Sequence, residues 1–457
     1  MRLTDQFGYE LTLSDKEALA AWNETVKAFL AHGRTTPQHL ETCLALAPDF
    51  ALGHAARGIF CLLLGRKELT ATAQECLAIA RTSTQHTPVT ARELAVVDAL
   101  GSWLQGYPTR SADLLDTVLV TVPEDALIMK LVHAIRFVLG DATGMRQSIE
   151  RVHAAYGETH PAYGYMLGCR AFSLEETGDY RLAEAAGRRG LEFARDDAWG
   201  LHAVAHVHDM TGRARQGLQW LTGREEAWAH CNNFRFHVWW HKALMHLDQG
   251  EIDEVLDLYD REIRSDRTDD YRDISNGVSL LMRLELEGVD VGDRWEEMAE
   301  LSARRTEDGC LIFADLHYLL ALARTDRQAE SRRLIRRIHH DARNSADEVG
   351  VRMGVPGCDA AEGLAAFTEG RFEAAFVLLC RVMPQMQHAG GSHAQRDVFE
   401  RITIDAGLRA GRLDAAELLL KERLIRRDGR EDAYCATRRN LISAAREPDC
   451  SNRVSAQ

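Results

Sequence analysis

The sequence predicts an all-α protein built as an α-solenoid of helix-turn-helix repeats. Three observations predict it. Ala, Leu, Arg and Glu dominate the 457 residues, and strand-type alternation is scarce. Only nine prolines occur and no segment is low in complexity. Glycines that follow an apolar helical stretch recur at 65, 106, 140, 178, 212, 250 and 288, then at 370 and 411, mostly 34 to 41 residues apart.

Taken in order, residues 1–45 (opening FGYELTLSDKEALAAW at 7–22) are expected to form an N-terminal helical cap. Residues 46–425 are expected to hold about ten repeats, and 426–457 a C-terminal helix and disordered tail, within one solenoid domain spanning 1–457. Each glycine ends the first helix of a repeat by taking the left-handed conformation, as in EETGDYRLAEAA and LRAGRLDAAELLL. The double interval from Gly288 to Gly370 leaves room for one more repeat, with its break near Thr325. Each pair has an apolar stripe that its neighbour covers, so the core is continuous. The pattern is similar to tetratricopeptide repeats, whose arrays wind as right-handed superhelices with first helices lining the concave face.

Composition sets limits on partners. With 46% hydrophobic and 27% charged residues the chain can bury a core and stay soluble. A net charge of −14 argues against a nucleic-acid partner, and RRLIRRIHHDAR at 332–343 reads as a solvated helix face. No apolar run reaches membrane-spanning length, so no membrane partner is expected. The start has no signal-peptide core, and no two of the ten cysteines form CxxC; a cytoplasmic protein is the simplest reading.

Histidine carries the chemistry. HAVAH places His202 and His206 four apart, and HVWWH does the same for His237 and His241. Both pairs sit in first helices, so four imidazoles are expected to face one region, with Trp239 or Trp240 as an apolar wall. HxxxH is a sound chelate, which opens the site to a divalent metal on His202, His206, His237 and His241. The glutamate of HExxH is missing. The other reading is a set of hydrogen-bonded core histidines. FADLHYLL adds Asp315 and His317, to orient a ring or accept a proton. Asp273, in an apolar stretch, is open to ligand contact or to an interhelix salt bridge.

In QHAGGSHAQRDVFERI, Gly390 and Gly391 make a turn, Ser392 fits an N-cap and Gln395 completes a capping box, so a helix starts at His393. Such a turn binds an anion through free N–H groups, with Arg396 as a second donor. Ordinary capping, with Asp397 at the positive helix end and Arg396 in a salt bridge, is the competing reading.

HAVAHVHDM, FHVWWHKAL, LLMRLELEGVDVGDRW, FADLHYLLA and GGSHAQRDVF together resemble the tetratricopeptide repeat protein 38 family over most of the chain. The resemblance implies polar motif positions at His202, His206, His237, His241, Asp315, His317, Gln395, Arg396 and Asp397. This chain departs at His393, where the family often has Asn, and at Trp239, where it tends to have Tyr. A family marked by such motifs suggests a fixed pocket. The expected function is binding of a small polar or anionic, amino-acid- or amide-like ligand, with acid–base or metal-assisted hydrolysis by His202, His206, His241, Asp315 and His317. His237, Trp239, Trp240, Asp273, Ser392, His393, Gln395, Arg396 and Asp397 would bind the ligand. The alternative is a non-catalytic adaptor that takes a peptide or protein in its groove; a homodimer is a third option. Walker and Rossmann glycine patterns are absent, so no nucleotide cofactor is expected.

Overall fold

The computed structural model describes residues 2–446. The tail expected at the C-terminus lies largely at 447–457, outside the described residues. The N-terminal cap differs from expectation in its first residues, which form a two-stranded antiparallel hairpin, Leu3–Thr4 with Glu10–Leu11. Asp5 explains it: its carboxylate accepts the N–H of Phe7 at 3.0 Å and of Tyr9 at 2.9 Å, folding the chain back through Gly8. Helices Lys16–Leu30 and Thr36–Leu46 follow, the first capped by Asp15.

From Ala51 to Arg426 the described residues form ten helix pairs, and Ala433–Arg446 closes the array. All nine turn glycines have φ between 59° and 87°, a region that a Cβ disfavours. The extra repeat expected between Gly288 and Gly370 is Ile312–Ala323 with Gln328–Asn344, and its break falls at Thr325. First helices are buried on nearly every side: Ala198–Met210 hides all its residues but Asp209. Second helices are one-sided. Gln328–Asn344 buries only Ser331, Leu334 and Ile338, which leaves its basic run largely facing solvent. Polar side chains on first helices are therefore forced into the interior.

The superhelix closes on itself. The turn at Gly106 lies against the segment around Glu348, whose carboxylate accepts the Thr109 N–H across 239 residues. Gln387 donates to the Gly140 carbonyl across 247, Tyr180 to the Arg426 carbonyl across 246, and Arg305 to Glu68 across 237. Arg352 spans the seam, donating to the carbonyls of Leu139 and His388 at 2.7 Å each. One revolution thus takes about 210–250 residues, and the first helices that face the centre are buried rather than open to solvent. No helix among the described residues is long and apolar enough to cross a membrane.

Candidate metal centre

Helices Ala198–Met210 and Phe234–Asp248 are adjacent first helices, and their histidine pairs meet. The Nε2 atoms run in a chain: His206 to His202 at 2.8 Å, His202 to His241 at 3.1 Å, His241 to His237 at 3.2 Å. All four lie within 4.8 Å of one another, and none of the rings is more than 8% exposed. Aromatic rings wall the group in. Phe172 stacks on His202, and Trp240 stacks on His237 at 5.2 Å and 16°.

Burial favours the neutral form of three of these rings. His202 and His241 are pushed well below the ordinary histidine value by desolvation, and His237 falls to about 3 for the same reason. Neutral rings cannot satisfy the cluster by hydrogen bonding alone. Three Nε2–Nε2 contacts involve only four nitrogens, and each nitrogen offers either one proton or one lone pair. At most two of the contacts are then linear hydrogen bonds. His237 is further committed, because its Nδ1 lies 2.9 Å from Asn276 Oδ1 and donates there, leaving a lone pair at Nε2. The Nδ1 atoms of His202, His206 and His241 are buried without hydrogen-bond partners. A cation would engage four lone pairs at once. Metal–nitrogen bonds of about 2.0–2.1 Å in a tetrahedron put ligand nitrogens roughly 3.3 Å apart, against 2.8, 3.1 and 3.2 Å for the three close contacts and at most 4.8 Å for the rest. The residues fit such an ion.

A second group adjoins the first. Glu175 and Glu176 end helix Tyr163–Glu176, and His393 begins helix His393–Arg409 across the seam. His393 Nε2 lies 2.6 Å from Glu175 Oε1 and 3.5 Å from Glu176 Oε1, while its backbone N–H donates to Glu176 at 2.9 Å. Burial alone would lower His393, but Glu175 and Glu176 raise it to about 9. Burial alone would raise Glu175; His393 and His206 bring it down to about 2.

Several expected site residues stand elsewhere. Ser392 and Gln395 form the capping box, bonding each other's backbone N–H at 3.2 and 2.9 Å. The anion at that helix start is internal, since Glu176 takes the His393 N–H. Arg396 is used up by the carbonyls of Gly390 and Gly391 and by Glu176 at 3.6 Å. Asp397 meets Arg283, Arg401 and Arg423 and is held well below the usual carboxylate range. Asp315 pairs with Arg337 at 2.6 Å, because a buried carboxylate on a first helix needs a cation from its second helix. His317 donates from Nδ1 to the Phe313 carbonyl and packs between Phe313 and Phe399, with burial taking it to about 4. Trp239 turns away toward Trp228 and Lys242, one position round the helix from Trp240. Asp273 bonds Asn233 at 2.5 Å and is raised to about 7 by burial.

Sequence reasoning missed Glu175, Glu176 and Asn276. One signal was present: two carboxylates in the last turn of a helix oppose its dipole, which favours cations there.

No protein-family profile matches this chain. Among the solved structures similar to it are a human IFIT1 dimer with PPP-AAAA (13% identity) and a human IFIT1 dimer with m7Gppp-AAAA (14%). Each has a TM-score of 0.40 and is matched over 97% of this chain and 98% of its own. One expectation is corrected: net charge sums the whole surface while binding is local, so a charge of −14 does not exclude a nucleic-acid partner, and both of these similar chains are dimers with PPP-AAAA or m7Gppp-AAAA.

Proposed function

We propose that the chain is a tetratricopeptide-like partner-binding scaffold of the protein 38 type, stapled at its core by a divalent transition-metal ion on His202, His206, His237 and His241. The convergence of four buried Nε2 atoms carries this reading. Neutral imidazoles suit zinc, copper or nickel. Four protein ligands fill a tetrahedron, the pattern of ions that hold a fold rather than react, so the adaptor role gains support over hydrolysis. Asp315 and His317, the expected proton carriers, stand on other partners. A reducing, cytoplasmic setting belongs to the same reading, and the nine described cysteines are free.

The test is elemental analysis of tag-free protein purified without chelator, beside His202→Ala and His241→Ala. Stoichiometric metal in the parent, lost in both variants, is expected, together with lowered thermal stability of the variants. Stripping the ion should cost the parent a few kcal/mol, about 4 at a metal concentration a thousand times Kd. A folded parent that takes up no Zn(II) would sink the proposal.

A further inference from the structure

Building on the four-histidine centre, we infer that His206 bridges two metal ions as an imidazolate, the second ion being held by Glu175, Glu176 and His393. One ligand atom from each of these four residues falls within 4.8 Å of the others. The two groups share only His206, which faces the other histidines through Nε2 and Glu175 through Nδ1. His206 Nδ1 and Glu175 Oε2 are 3.3 Å apart, their side chains are fully buried, and neither atom makes a hydrogen bond.

Two carboxylates at the negative end of a helix call for positive charge. Protonated His393 and Arg396 supply it without a metal, but they leave the Nδ1 and Oε2 atoms unused. An ion uses both. On binding, His206 loses its ring proton and His393 its Nε2 proton, both to solvent. The second ion has mixed oxygen and nitrogen ligands, and His393 also lines a cavity of 270 Å³ with Arg401, Arg423 and Asp432. That side is where water or an oxygen-donor ligand reaches the ion.

The full-length, tag-free chain is stripped with chelator, equilibrated with Zn(II) and analysed for bound metal. The parent is expected to hold two ions, and His393→Ala and Glu176→Gln one each. Loaded with Cu(II), the parent should give the exchange-coupled paramagnetic resonance of a bridged pair, and His393→Ala an isolated Cu(II) signal. One ion in the parent, unchanged in both variants, overturns the second site and leaves the four-histidine centre standing. No ion in a folded parent overturns both. Two ions with uncoupled Cu(II) spectra overturn the bridge. The parent's stoichiometry and spectrum decide the matter even where a variant fails to fold.

Discussion

Asp197 shows how burial converts a cap into a pH dependence. It caps helix Ala198–Met210 through the Gly200 N–H at 3.1 Å, yet desolvation raises it from 3.8 to about 7. The folded chain therefore binds this proton more tightly than the unfolded chain. The stability it contributes is complete below pH 4 and is lost as pH rises through 7. Asp197→Asn mimics the protonated form. It should flatten the denaturation midpoint between pH 4 and 7 relative to the parent, removing a loss of roughly 2–4 kcal/mol. Equal pH slopes in parent and variant would refute this. At the same scale, the histidine pairs were legible because i,i+4 spacing puts two rings on one face. Their partners were not. Glu175 meets His393 across 218 residues, and no local pattern encodes that distance. Asp315 and His317 share the chemistry of site residues, but their nearest partners, Arg337 and the Phe313 carbonyl, took them first.

Among elements, the turn glycines separate conformational cost from spatial cost. Gly178 has φ of 83° and nothing within 4 Å of where a Cβ would sit. Gly178→Ala should cost about 1–2 kcal/mol, the strain of a left-handed residue alone. Gly140 has φ of 68°, and its Cβ would lie 1.9 Å from the Gln387 carbonyl oxygen. Gly140→Ala should cost about 2–5 kcal/mol, since the seam must shift as well. Urea midpoints of the two variants check this, and equal shifts would contradict it. The helix pairs were legible because glycine turns recur at a nearly fixed interval. The hairpin at 3–11 was not, because it depends on Asp5 capping two backbone N–H groups rather than on alternation.

For the whole molecule, Arg352 is the strut to cut. Arg352→Met leaves the Leu139 and His388 carbonyls without their charged donor, at a cost of about 1–3 kcal/mol. Small-angle scattering should show a larger radius of gyration in the variant; an unchanged radius with unchanged stability would discount the strut. Periodicity foretold a solenoid but not its closure, since the repeat interval says nothing about how many repeats complete a revolution.

The closure also bears on how such a chain can change in length. In an open array, gaining or losing one repeat is a local edit felt only by its neighbours. Here several early segments are each matched to one later segment 213 to 247 residues on. An indel of a single repeat between them would mismatch Thr109 with Glu348, Gly140 with Gln387 and Glu176 with His393 together. The repeat count between these partners is thereby locked, as the tooth count is in a meshed gear.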